Sequence, residues 1–249
     1  MEDLPALRTF DPTPEILALA ARYRRANGPV MSVVNRLGGS LEAQMTVIPP
    51  ALREQVERVT ARALETAYGL AGRGPELGER GPLIAAMVTG AAGGAGGLAT
   101  SVAELPVTVT LILAAIRAAA MDAGYDPAED WVRAECLKVF GAGTPLAVDD
   151  GINTSFLSAR LTITGAGVQK IVAAVAPKLA AALGQKVMAQ AVPVLGALTG
   201  AALNAAFLRY YREVARIRFA LMRLAEVHGA EVVLSAFKVA VEPPRIVKS

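Results

Sequence analysis

Hydrophobic positions recur at three- and four-residue steps over most of the chain, which is the spacing of one face of an α-helix. The stretch that begins at Pro50 shows this most clearly. Leu52, Val56 and Val59 share one side of a helical projection, while charged residues such as Arg53 take the other. This pattern predicts an amphipathic helix whose outer face lies in water.

Two long stretches carry no charge and have a different composition. Leu83–Ala103 is rich in glycine and alanine, and Val187–Leu208 repeats that composition with one polar residue expected to be buried, Asn204. Glycines four residues apart on a helix let another backbone approach closely, because no side chain separates the two. Both stretches contain this spacing: Gly90 and Gly94 in the first, Gly196 and Gly200 in the second.

These patterns predict an all-α protein, folded as a single compact multi-helix domain with glycine-rich, close-packed central helices. Gly90–Ala123 and Val187–Arg223 are expected to form the central set. We expect an N-terminal helix within residues 1–27, the main helical domain over 28–228, and a C-terminal helix with a loose tail over 229–249.

Helix ends are marked by proline, glycine and capping residues. Thr13 before Pro14 predicts the start of the first helix, and Gly28 predicts its end. Gly124 predicts the end of the apolar helix that precedes it. Asp126 before Pro127 then predicts the cap and first position of the next helix.

Composition places the chain between ordinary soluble domains and polytopic membrane proteins. Hydrophobic residues make up 53% of the chain and aromatic residues 5%, and the mean hydropathy is +0.42. A single cysteine excludes an internal disulfide framework, and a single histidine argues against an ordinary zinc site. The acidic N-terminal sequence predicts no secretory signal peptide, so we expect a cytoplasmic protein. We also expect no metal and no cofactor.

The candidate site residues follow from polar groups in apolar surroundings. Glu104 has two interpretations. With Ser101 it fits a capping box, and as an acid in an apolar region it marks a site if it is paired. For an apolar ligand with an anionic head, we expect hydrogen bonds from Glu104 and Asn204 and a cation from Arg117 with either Lys170 or Lys178. Those two lysines and Lys186 are otherwise expected in solvent.

A basic stripe follows the second uncharged stretch. Its arginines fall on one side of a helix, with two tyrosines beside them. Such a helix is either an ordinary solvated face or an interfacial face for anionic lipid, with the tyrosines at the depth of the headgroups. The predicted membrane-facing residues are Arg209, Tyr210, Tyr211, Arg212, Arg216 and Arg223.

Two runs of sequence together resemble the EcsC family. The first is AAGGAGGLATSVAELPVTVTLILAAIRAAAMDAGYDP, with its glycine-rich entry, an acid before Leu-Pro and a Gly-Tyr-Asp corner. The second is KVMAQAVPVLGALTGAALNAAFLRYYREVARIRF. The likeness covers roughly Gly28 to Leu224. It implies a mostly helical protein with a role at the membrane, in some cases beside an ABC-type transporter, and it implies no catalytic residue.

The sequence therefore predicts a non-enzymatic, peripheral protein at the inner face of the cell membrane. Its expected partners are an anionic membrane lipid or fatty acyl ligand and a membrane transporter. Nucleic acid is not expected, because aromatic residues are few and no recognition motif is present. Two alternatives stay open: an integral membrane protein with one or two glycine-rich spans, and an enzyme that uses Glu104.

Overall fold

The computed structural model of the chain describes residues 11–38, 49–69, 81–95, 97–140, 165–190 and 196–241. Throughout these ranges the regular elements are α-helices, which confirms the all-α prediction. They are α1 (Thr13–Gly38), α2 (Pro50–Gly69), α3 (Gly81–Ala95), α4 (Gly97–Ala103), α5 (Leu105–Asp122), α6 (Asp130–Val139), α7 (Gly165–Gln190), α8 (Gly196–His228) and α9 (Ala230–Val241).

Helix α8 is the longest of these elements, and most of the other described helices pack against it. Its 33 residues extend for about 50 Å at 1.5 Å per residue. Helix α3 lies antiparallel to its first half, because Ala86 meets Asn204 and Gly90 meets Gly200. At Gly90 a Cβ atom would overlap the backbone carbonyl of Gly200, so the two helices touch through their main chains.

The second half of α8 is covered by the two terminal helices. Arg22 of α1 donates to Glu213 at 2.7 Å, and the rings of Tyr23 and Phe237 meet edge to face with centroids 6.2 Å apart. Arg24 donates to the carbonyl of Ala240 on α9. Helices α1 and α9 thus pack on the same helix as the central set, while the division at 27–28 and 228–229 stays a prediction.

Several helix ends agree with the sequence and others do not. Helix α2 starts at Pro50, and Gly124 ends the turn after α5 with a φ of +83°, a conformation that glycine adopts without strain. The predicted end of α1 near Gly28 is wrong, because the helix continues to Gly38. The predicted start of α6 at Pro127 is also too early: Asp126 accepts from the Ala128 amide, and the helix begins at Asp130.

The two uncharged stretches are each divided between helices. Leu83–Ala103 is split into α3 and α4, while α7 ends at Gln190 and α8 begins at Gly196. In the described part of the chain, one helix is long and apolar enough to cross a membrane: Leu105–Asp122, with a mean hydropathy of 1.6. More than half of that helix, 56%, is buried inside the fold, as in the core helix of a globular domain.

Candidate functional site

Glu104 lies in the turn between α4 and α5 and points into the protein. Its backbone is nearly helical, with φ −77° and ψ −20°, and its side chain makes no capping hydrogen bond. Ser101 lies within α4 and donates instead to the carbonyl of Gly93 at 3.1 Å. The capping-box prediction is therefore wrong. The carboxylate, only 6% exposed, is free to interact with other helices.

A buried lysine supplies the charge that this acid needs. Lys186 Nζ on α7 lies 2.8 Å from Glu104 Oε1, and the lysine side chain is 0% exposed. Thr108, one turn into α5, donates to the same Oε1 at 2.6 Å and lies 3.3 Å from Lys186 Nζ. Burial lowers the pKa of Lys186, and the neighbouring Glu104 opposes that shift.

Asn204 brings α8 into the same group. Its Nδ2 donates to Glu104 Oε1 at 2.6 Å and to the carbonyl of Ala86 on α3 at 2.9 Å. One carboxylate oxygen therefore accepts from Lys186, Thr108 and Asn204, which lie on three different helices. We call these four side chains the Glu104 cluster: Glu104, Thr108, Lys186 and Asn204.

The cluster fits only because α3 has glycine where it passes over the carboxylate. A Cβ atom at position 93 would overlap Glu104 Oε2, and one at position 90 would lie 2.7 Å from Asn204 Nδ2. Two acceptors in the cluster, Glu104 Oε2 and Asn204 Oδ1, are buried and have no hydrogen-bond donor among the described residues. The carboxylate is thus held by one oxygen, and its other oxygen faces the glycine backbone.

A second buried ion pair connects α6 to α8. Arg218, 1% exposed, is hydrogen-bonded to Glu135, which also accepts from Lys138 at 2.7 Å. Burial lowers the pKa of Arg218 to about 9. The adjacent Cys136 is buried, and desolvation raises the pKa of its thiol to about 12.

The structure brings together only part of the predicted ligand site. Glu104 and Asn204 are in direct contact. Arg117 is 13 residues further along α5, about 20 Å from Glu104 along the helix axis. Lys170 and Lys178 are exposed on α7, whereas Lys186, which was expected in solvent, is the lysine that reaches the carboxylate.

The apolar ligand expected from the sequence needs space beside Leu111–Met121 and Val194–Leu203, where small residues are frequent. Met121 is 59% exposed, and Val194 lies outside the described residues. A cavity of about 230 Å³ lies between α2 and α7.

The predicted membrane-facing stripe is only partly at the surface. Tyr210 and Tyr211 are 3% and 0% exposed, so the expectation that they lie at headgroup depth is wrong. Arg209 is exposed and Arg212 half-buried. Arg216 lies 3.7 Å from Asp122. Arg223 lies 3.4 Å from Glu226, so the stripe carries acids as well as arginines.

Two site residues were missed, and the sequence contains a signal for both. Lys186 lies seven residues after Leu179 and three after Leu183, on the buried face of α7. Arg218 lies seven residues after Tyr211 and four after Val214, on the buried face of α8. A charge that falls on an apolar seam at helical spacing must be paired inside the fold. Applying this rule to the seams would have identified both residues.

Comparison with protein families supports the resemblance that the two runs of sequence quoted above indicate. Residues 79–224 match the model of the EcsC protein family, more than half of the chain. The match starts later than Gly28, and it contains both buried ion pairs. No match is found among curated proteins or among solved structures. On the family match, this chain belongs to the EcsC protein family.

Proposed function

We propose that this protein is a non-enzymatic, membrane-associated helical protein that binds lipid or another apolar ligand at the cytoplasmic face of the membrane. The observation that supports this most directly is the outer face of α3. Ile84, Met87 and Val88 are 59%, 43% and 63% exposed. Their spacing places them on one stripe, which exposed Ala92 and Ala95 continue.

The surroundings of α3 lack the charges that normally cover a solvated helix. Residues 83–116 contain a single charged residue, Glu104, and it is buried. Helix α2 is the internal contrast, because its exposed positions include Arg53, Glu54 and Arg58. An exposed helix face that carries no charged residue suits contact with an apolar medium.

The dimensions of α3 favour a shallow position over a spanning one. Its 15 residues extend for about 22 Å, less than the roughly 30 Å of a hydrocarbon core. Its inner face is occupied by α8 and by the Glu104 cluster, so one side remains for lipid. A helix of this kind lies along the interface with its apolar side towards the acyl chains.

The arginines of α8 have a smaller part in this proposal. Arg209 is exposed and suited to an anionic headgroup, whereas Arg216 and Arg223 each have an acidic neighbour. Binding is then mainly apolar, with a modest electrostatic contribution. The EcsC resemblance adds an ABC-type transporter as a proposed partner at the same membrane face.

An enzymatic function that uses Glu104 is less well supported. The carboxylate is 6% exposed, and one of its oxygens already accepts from Lys186, Thr108 and Asn204. A general acid or base needs a substrate within hydrogen-bond reach of it. The contacts of Glu104 instead favour a role in holding four helices together.

Vesicle flotation with two matched variants tests the proposal. Val88→Glu puts a charge on the outer face of α3, and Gln55→Glu makes the same charge change on the exposed face of α2. With vesicles of equal parts phosphatidylcholine and phosphatidylglycerol, we expect wild type and Gln55→Glu to float. Val88→Glu should lose tenfold or more in affinity, since about 1.4 kcal/mol of apolar transfer is tenfold. Wild type that stays with the soluble fraction, or a Val88→Glu variant that floats equally well, would refute the proposal.

A further inference from the structure

The cavity of about 230 Å³ between α2 and α7 is not used by the Glu104 cluster. Its walls are apolar and its edge carries two charged side chains, one acidic and one basic. All of its lining residues belong to α2 and α7, and the charged pair is Arg53 and Glu57.

Small residues on α7 account for the space. Ala180, Ala181 and Gly184 face Leu52 and Val56 of α2, and none of the three carries more than a methyl group. An apolar cavity of about 150 Å³ holds benzene, so by that scale this one accommodates roughly eight or nine carbon atoms. The volume and the aliphatic walls fit the end of an acyl chain.

The edge of the cavity selects a type of head group. Arg53 is exposed at the first turn of α2, and Glu57 lies half-buried one turn further on. A guanidinium group binds a carboxylate or phosphate through paired hydrogen bonds. Glu57 repels the same anion, so Arg53 is the group that would hold it.

We propose that the α2–α7 cavity binds the apolar end of a single-chain amphiphile whose anionic head is held by Arg53. This inference rests on the proposed function in one respect: both expect the ligand to be apolar. The cavity and the outer face of α3 share no residue, so each can be changed without the other.

Calorimetric titration with octanoate, below the concentration at which it forms micelles, tests the cavity. Ala181→Phe places a ring in the cavity from an exposed position, so we expect at least a tenfold loss of octanoate affinity without unfolding. Ala173→Phe makes the same change at an exposed position of α7 outside the cavity and should bind as wild type does. Leu52→Trp fills the cavity from α2 and should cause the same loss of octanoate affinity.

Exchanging the head group tests the role of Arg53. Arg53→Gln should weaken octanoate at least fivefold and leave octanol unchanged, while Glu57→Gln should strengthen octanoate. Equal octanoate affinity in wild type and Ala181→Phe would overturn the proposal. So would the absence of saturable octanoate binding by wild type, or an Arg53→Gln variant that loses octanoate and octanol equally.

The two proposals fail separately. Val88→Glu should keep wild-type octanoate affinity, and Ala181→Phe should keep wild-type flotation. Octanoate binding without flotation removes the membrane proposal and leaves the cavity site. Flotation without octanoate binding removes the cavity site and leaves the membrane proposal.

Discussion

Lys186 and Glu104 are 82 positions apart in the chain and 2.8 Å apart in the fold, in an ion pair that is almost wholly buried. Each charge alone would be costly in that environment, and together they connect α7 to the turn before α5. Asn204 adds α8 and, through Ala86, α3. The ion pair therefore fixes the relative positions of these helices. Because α3 is held among them, the pair also determines which face of α3 points outward.

Removing the acid should destabilise the fold strongly. Glu104→Gln leaves the buried ammonium group of Lys186 without its counter-charge, and we expect a loss of about 3–5 kcal/mol in the free energy of unfolding. Urea denaturation measures it. Glu65→Gln, at an exposed position of α2, should change stability by less than about 0.5 kcal/mol.

A paired substitution separates lost charge from lost packing. Glu104→Gln combined with Lys186→Met removes both charges and should recover a large part of the stability. A Glu104→Gln variant as stable as wild type would contradict the ion pair as described.

The close approach of α3 to α8 gives a prediction at Gly90. In Gly90→Ala the new methyl group overlaps the Gly200 carbonyl, and a backbone neighbour cannot move aside as a flexible side chain can. We expect a loss of about 1–3 kcal/mol, despite alanine's better helix propensity. Ala92→Leu adds more volume on the exposed side of α3 and should be nearly neutral. A stabilised Gly90→Ala variant would show that the helices are further apart.

The cysteine predicts a pH effect of definite sign. The pKa of Cys136 is raised from 9.0 to about 12 by burial, so the folded state keeps a proton that the unfolded state releases. This contribution to stability is fully present below pH 9 and is lost as the pH rises from 9 towards 12. Wild type should therefore lose stability relative to Cys136→Ala between pH 8 and 10.5, measured by denaturant titration. Parallel curves for the two proteins would argue against a buried thiol.

Salt should release the protein from vesicles only in part. At about 1 M salt the Debye length falls to about 3 Å, which screens Arg209 and the other arginines but leaves apolar contact intact. We expect high salt to lower flotation less than Val88→Glu does. Full release by salt, together with equal flotation of Val88→Glu and wild type, would assign binding to the arginines instead.

The sequence predicted the helical architecture well, because periodicity and helix-end signals are local. Pro50 and Gly124 mark helix ends through properties of their own backbones. The acid at Glu104 was correctly singled out as costly unless paired. Where local signals competed, as between the capping box and pairing across the fold at Glu104, tertiary contacts decided the outcome.

Pairing between distant helices could not be predicted in the same way. No local pattern connects Lys186 to Glu104, or Arg218 to Glu135. Tyr210 and Tyr211 were misplaced because basic neighbours suggested an exposed face. Their two rings in fact pack on each other, and the ring of Tyr211 also packs on Phe140. Which side of a helix is buried depends on all of its neighbours, and those neighbours come from elsewhere in the chain.

If the outer face of α3 contacts lipid, a fluorescent probe on that face will lie within reach of a quencher attached to the acyl chains. Cys136 is buried and its thiol has a raised pKa, so a bimane label will react with an introduced cysteine alone. Bimane at Val88→Cys should be quenched by vesicles with doxyl-labelled acyl chains, and bimane at Gln55→Cys on α2 should not. Equal quenching at the two positions, or none at position 88 in vesicle-bound protein, would rule out specific contact between the outer face of α3 and the acyl chains.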